Sequence, residues 1–353
     1  MKQLLKKNNF INYILLCASF LFACILGEFL LRFLGYYGII TSQVQNLRLV
    51  QDPVLDYRLV PKSSWIYNNL RYSINQHGWR DDEHDYQKPA NTFRIVVLGD
   101  SVTQGYGVNL ESTYAKQLEE KLNATSRTQY HYEVIIIALE GINTGQEAHL
   151  LEIEGLKYDP DLVIIGYVLN DPANGNSLNQ EMLRVKHQNW KDRLRQFAAR
   201  SSLMHWTYKM FKQLYWNFAI RFGKEEVEAL ARDDYISCFY TDSALWNRTL
   251  QAFRHIQQLT RRQNIPVILM IFPLLHNLHD YEWKDLHQQV RQAAQIYHFN
   301  VIDLLEYYQA YSQNKLQVYN GDNIHPNQFG HLIASQALYQ FLLNNQMAAI
   351  KID

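Results

Sequence analysis

Apolar positions along this chain fall into two kinds of run. The first kind is short and unbroken: FRIVVLG (93–99), YEVIIIAL (132–139), DLVIIGYV (161–168), PVILMIFP (266–273) and FNVIDL (299–304). Runs of this length, rich in β-branched residues, predict strands covered on both faces, as in a parallel sheet between helices. The second kind recurs at helical spacing: STYAKQLEEKLNA (112–124), TGQEAHLLEIEGL (144–156), ALWNRTLQAFRHIQQLTRRQ (244–263), DLHQQVRQAAQIY (285–297) and NQFGHLIASQALYQFLLNN (327–345). The two kinds alternate. That alternation predicts an α/β domain with right-handed crossovers and helices on both faces of a parallel sheet. Working sites in such sheets lie at the carboxyl ends of the strands.

Three stretches break the rhythm. Asn8 to Gly27 carries no charge over about twenty residues, the span of a bilayer core. Lys2, Lys6 and Lys7 precede it, and few basic residues follow before Arg48. The bias predicts a single-pass helix with a cytoplasmic N-terminus and the rest of the chain extracytoplasmic, periplasmic in a bacterium. The apolar pattern continues through EFLLRFLGYYGII, which favours a retained anchor over a cleaved signal peptide. Within it Glu28 and Arg32, four apart, are placed to pair. Residues 1–40 are thus read as N-terminus and anchor. Residues 41–92 are polar and turn-rich, a juxtamembrane segment packed on the catalytic domain at 93–346, with 347–353 as a tail. Residues 173–240 hold no strand pattern. Their aromatic and basic helical sequence reads as an insertion that caps the site, lies on a membrane surface, or packs as a plain helical excursion.

Composition removes some function classes. Lys+Arg and Asp+Glu are both 34 in 353 residues. With no basic excess to neutralise phosphates, nucleic acid is not expected as a partner. Of three cysteines, Cys17 and Cys24 lie in the apolar N-terminal run, leaving Cys238 alone. Neither a disulfide framework nor a cysteine metal site follows from that. His276–Asp280 has loose ligand spacing and reads as a solvated loop. No metal and no cofactor are called for.

The chemistry concentrates at strand ends. Gly99-Asp100-Ser101 closes the first apolar run. A serine hydroxyl needs a base in hydrogen-bond reach, and the base needs an orienting partner. Asp322 and His325, three apart in the loop NGDNIHPNQFGH before the last helix, supply both. A developing oxyanion needs donors. Asn170 follows the third run, and Gly141 follows the second, where a bare backbone N–H can approach a ligand. Asp100 and Asp171 read as loop-bonding residues, and His331 as a structural residue of the last helix.

These four blocks, in this order, resemble the SGNH or GDSL hydrolases, over about residues 90–345. The resemblance implies a three-layer αβα sandwich with a flavodoxin-like parallel sheet. It implies Ser101 as nucleophile, His325 as general base and then acid, and Asp322 as its orienter. The N–H groups of Ser101 and Gly141 and the amide of Asn170 become the oxyanion hole, with Gly145 as the fallback glycine. The chain departs from the family pattern at Ile136 and Ala138, where Asn and Gly are usual. It departs again at Val168, with Gly166 two places before the usual glycine. The stretch from Ile74 to Val108 is similar to an anchored subgroup acting on cell-surface polysaccharide. The expected function is a serine esterase removing acyl groups, acetyl foremost, from a carbohydrate or small ester. The alternatives are a polysaccharide O-acetyltransferase with the same site, fed by a membrane acyl-donor partner, and a non-catalytic glycan-binding or assembly protein.

Overall fold

The computed structural model describes residues 2–33, 47–173, 201–210 and 234–347, apart from positions 50, 51, 53, 56, 68, 126–129, 205, 208 and 209. The chain divides into two units, Met1–Gln45 with Gln180–Ala229, and Asn46–Asn179 with Leu230–Asp353.

The second unit carries the sheet. Strands β5 (Thr92–Gly99), β6 (His131–Ala138), β7 (Leu162–Val168), β8 (Val267–Phe272) and β9 (Asn300–Asp303) form it. All pair in parallel, in the order β6-β5-β7-β8-β9. Each predicted apolar run is therefore a strand. Every residue of β7 and β8 is buried, which explains their unbroken apolar sequence. The helices are α2 (Ser101–Gln104), α3 (Tyr114–Thr125), α4 (Thr144–Ile153), α5 (Asp234–Thr241), α6 (Ser243–Arg261), α7 (Lys284–Ile296), α8 (Leu305–Tyr308) and α9 (Gln328–Asn344). The crossover through α3 runs outward from β5 to β6, and the one through α4 runs back past β5 to β7. Right-handed crossovers in opposite directions put their helices on opposite faces. Consistent with this, α3 packs with α9 and α4 packs with α6. The strand order reverses at β5, and in open sheets that reversal opens a crevice at the carboxyl ends. Gly99 is level with Ala138 on one side and Gly166 on the other.

The turn-rich segment 41–92 also holds short strands that the sequence reading did not name. It holds β1 (Leu47–Leu49) antiparallel to β2 (Tyr57–Leu59), and β3 (Ser64–Tyr67) antiparallel to β4 (Leu70–Ser73). Strands of three or four residues are too short to print a period of two in the sequence. Most of the 173–240 insertion lies outside the described residues; α5 is its described end.

In the first unit, α1 (Lys2–Phe33) covers the apolar run. Among the described residues, however, no helix is long and apolar enough to cross a membrane. Toward its C-terminal end α1 carries the charged Glu28 and Arg32, four residues apart. These two pair at 2.7 Å. Glu28 also accepts bonds from the Ser201 hydroxyl and the Ser202 and Leu203 N–H groups, a docking the sequence did not announce.

Candidate active site

Ser101 opens a single helical turn. The Asp100 side chain caps it by accepting from the Val102 N–H at 2.8 Å. Gly105, at φ +85°, closes it with N–H bonds back to the Ser101 and Val102 carbonyls. Left-handed backbone is cheap there only for glycine. Beneath the turn, Thr103 reaches toward the sheet and its hydroxyl meets the Tyr114 hydroxyl at 2.9 Å. Two glycines make room. A Cβ on Gly99 would stand 2.0 Å from Thr103 Oγ1, and one on Gly166 would stand 2.3 Å from that same oxygen. Gly166, displaced from its usual place, thus seats the nucleophile turn on β7.

The loop 316–327 brings the imidazole. His325 Nε2 lies 2.9 Å from Ser101 Oγ. Its Nδ1 lies 2.9 Å from Asp322 Oδ2. Asp322 also accepts from the Ile324 and His325 N–H groups. Burial raises the Asp322 pKa. The His325 side chain and the two N–H groups outweigh it, holding the carboxyl below its ordinary value. It is therefore an anion able to orient an imidazolium. The loop itself is stapled: Gln317 Nε2 donates to the Leu275 carbonyl, the Leu275 N–H donates to Asn323, and Asn327 caps α9 while donating to the Lys315 and Gln317 carbonyls.

Gly141 stands three residues past β6 at φ +70°, and Asn170 two residues past β7. Both lie at the sheet edge that carries Ser101. Asn170 Oδ1 is buried without a hydrogen-bond partner. Gly145 sits inside the first turn of α4, where Asn143 and Gln146 form a capping box. His331 is fully buried on α9. It accepts from the Tyr114 N–H at 3.2 Å and stacks on that ring. Burial, with help from the Arg80 and His325 charges, lowers it to about 3, so it is neutral and structural.

Three features were invisible to sequence reasoning. Arg80 is 1% exposed, and its guanidinium donates to the carbonyls of Gln104, Gly105 and Val108. It fixes the loop after the nucleophile. The Tyr57 hydroxyl donates to the Glu140 carbonyl, next to Gly141. Behind the site, Glu147 is fully buried with neither carboxyl oxygen bonded, while Asp171 accepts from the Thr144 hydroxyl at 3.0 Å through one oxygen and leaves the other unbonded. Burial first, then the charges of Asp171 and Asp100, push Glu147 well above its ordinary value, and burial first, then the Asp100 charge, push Asp171 well above its own. Asp100 rises to about 6, chiefly by burial. No composition signal marks such roles, because each depends on which backbone the side chain meets after folding.

Among the described residues no cluster of three His, Cys, Asp or Glu side chains is arranged to hold a metal ion. What the geometry offers is a hydroxyl, an imidazole and a carboxylate in one hydrogen-bonded row at a sheet's carboxyl edge, the arrangement of serine acyl transfer. Fold and site together define an ester-bond hydrolase of the α/β class. The sequence profile of the GDSL-like Lipase/Acylhydrolase family matches residues 97–333, more than half of the chain, and the protein belongs to that family. No match to a curated protein was found. Solved structures similar to it include a two-domain esterase active on acetylated mannans, at 14% identity and a TM-score of 0.43, covering 74% of this chain and 51% of that one. The chain thus spans about half the length of that relative. A catalytic mutant of Axe2, an acetylxylan esterase from Geobacillus stearothermophilus, matches at 15% identity and a TM-score of 0.43, covering 74% and 97%. The lipase/acylhydrolase from Enterococcus faecalis matches at 16% identity and a TM-score of 0.41, covering 74% and 98%.

Proposed function

We propose that the protein is a serine esterase that hydrolyses acyl esters of a carbohydrate, acetyl foremost, through an acyl-Ser101 intermediate. The observation that carries the reading is the row Ser101–His325–Asp322, with contacts of 2.9 Å at each step. Ser101 Oγ attacks the ester carbonyl as its proton passes to His325 Nε2. The tetrahedral oxyanion is held by the N–H groups of Ser101 and Gly141 and by the Asn170 amide. The intermediate collapses when His325 returns the proton to the departing alkoxide, leaving acyl-Ser101 and a free alcohol. Water then attacks, giving its proton to His325. The second collapse releases the acid, and Ser101 takes the proton back. Asp322 orients the imidazole and stabilises its cation throughout.

We further infer that α1 holds the chain to a membrane, with the catalytic unit extracytoplasmic. Leu16, Phe20, Phe22, Ile25, Phe29 and Phe33 are each more than 60% exposed and lie around the helix rather than along one stripe. A helix apolar on all sides needs an apolar surrounding. An alkaline phosphatase fusion at the C-terminus is expected to be active. A stable but inactive fusion overturns that orientation.

The activity is tested with a p-nitrophenyl ester series from acetate to octanoate, alone and with an oligosaccharide acceptor. Wild type is expected to release free acid, fastest from acetate, and Ser101→Ala to lose the activity. Equal rates in both proteins overturn the serine reading. Acetyl found on the oligosaccharide instead of in solution moves the assignment to the transferase.

A further inference from the structure

The ribbon β3–β4 lies outside the family-matched residues 97–333, yet it bonds the tyrosine that packs on the reacting histidine. Its two faces differ. Ser64, Ile66, Arg71 and Ser73 point to solvent, all of them exposed. Trp65, Tyr67, Leu70 and Tyr72 occupy the other face, half-buried or buried. That face is packed toward the loop after Ser101. The Gly107 N–H donates to the Tyr72 hydroxyl at 2.9 Å, and Arg80 lies over the Tyr72 ring at 3.8 Å. Trp65 stacks on Tyr72, with centroids 5.3 Å apart. At the ribbon's end, the Tyr67 hydroxyl meets the Tyr106 hydroxyl at 3.0 Å. Tyr106 in turn sits with its ring centroid 4.3 Å from that of His325. Both tyrosines are only partly covered, and Tyr319 beside them is 53% exposed.

The chemistry assigns a meaning to that side of the histidine. His325 Nε2 delivers its proton to the oxygen of the departing alcohol, so the alcohol portion of the ester must lie against the imidazole. Groups packed on the imidazole therefore meet the alcohol, while the acyl group faces the oxyanion donors. Tyrosine offers an apolar face and a hydroxyl together. A pyranose offers the complement: C–H faces for a ring and hydroxyls for a phenol. An alkyl alcohol gains nothing from the phenol oxygens. An anionic headgroup needs a cation, and among the described residues the cation packed on this face, Arg80, is buried and committed to three carbonyls.

We propose that Tyr67 and Tyr106 form the alcohol-side subsite, that it takes a neutral ring-shaped polyol such as a pyranose, and that the ribbon at 64–73 sets this specificity. The proposal rests on Ser101 and His325 being the reacting pair. Tyr67 is the probe residue, because it lies on the ribbon and does not itself touch the His325 ring.

The test measures kcat/KM for a panel of mono-O-acetylated methyl pyranosides and for ethyl acetate, and takes the ratio. Tyr67→Ala is expected to lower the ratio about tenfold, the scale of one lost ring contact. Tyr67→Phe keeps the ring and is expected to stay within about threefold of wild type. A ratio unchanged in Tyr67→Ala, including one in which both activities fall together, overturns the subsite. So does a wild type that turns over ethyl acetate but none of the pyranoside panel. In that case, loss of the ethyl acetate activity in Ser101→Ala leaves the esterase reading standing on its own.

Discussion

The parallel sheet and the short segment before it both act on the loops that carry the site, by different means. The sheet acts through buried apolar strands. Gly99 and Gly166 lie level on β5 and β7, and their missing side chains let Thr103 seat the turn that carries Ser101. The segment from Tyr57 to Arg80 acts through polar side chains on backbone: Arg80 on three carbonyls, Tyr57 on the Glu140 carbonyl, and Tyr72 accepting from Gly107. Close packing fixes where the serine stands. Directed hydrogen bonds fix how the loop beyond it turns, and so where Tyr106 meets His325.

Substitutions on each side can break this contrast. The largest effect is expected from Arg80→Ala. It takes the guanidinium from the Gln104, Gly105 and Val108 carbonyls, leaving the Gly105 carbonyl with the Val108 N–H at 3.2 Å, and is expected to cost about 3 kcal/mol of stability. Denaturant unfolding measures it, and kcat/KM is expected to fall with it as the loop loosens. A loss within about 0.5 kcal/mol, the range of an ordinary surface change, removes the polar half of the contrast. Next is Gly166→Ala, whose Cβ would meet Thr103 Oγ1 at 2.3 Å and the Tyr114 hydroxyl at 2.7 Å. Overpacking of this kind is expected to cost about 2 kcal/mol. Pairing it with Thr103→Ala, which vacates the space, should recover part of that cost. No recovery would mean that Gly166 serves something other than Thr103.

A third effect is read as a slope against pH and concerns the buried acids. Glu147 has a folded-state pKa raised well above 4.5 by burial and by Asp171. Between the unfolded and the folded value, the native state binds more protons than the unfolded one. Stability therefore falls as pH rises through that window, by about 1.4 kcal/mol per unit for each such group. Urea midpoints collected between about pH 5 and about pH 7 are expected to show a shallower decline in Glu147→Gln than in wild type. An identical slope in both proteins contradicts the assignment of Glu147 as a buried neutral acid.

The same contrast explains what was legible. The five strands were readable because each is apolar at successive positions. Ser101, Asp322 and His325 were readable because Gly-Asp-Ser and Asp-x-x-His stand at a strand end and before the closing helix, and the structure brings them within 3.0 Å of one another in sequence of contact. Gly166 was visible only as a departure, since its partner Thr103 is met across the sheet. Arg80, Tyr57 and Glu147 look ordinary in sequence. An arginine that binds three carbonyls leaves no partner carboxylate to search for. The β3–β4 ribbon was hidden by its length, four residues a side, although its alternation of exposed and covered positions is plain once its pairing is known.

The most direct test of the central claim is covalent labelling with a fluorophosphonate, mapped by peptide mass spectrometry and timed in wild type and His325→Ala. The expected result is a single adduct on Ser101, formed far more slowly when His325 is removed. An adduct on another residue, or equal labelling rates in the two proteins, would contradict Ser101 as a nucleophile activated by His325.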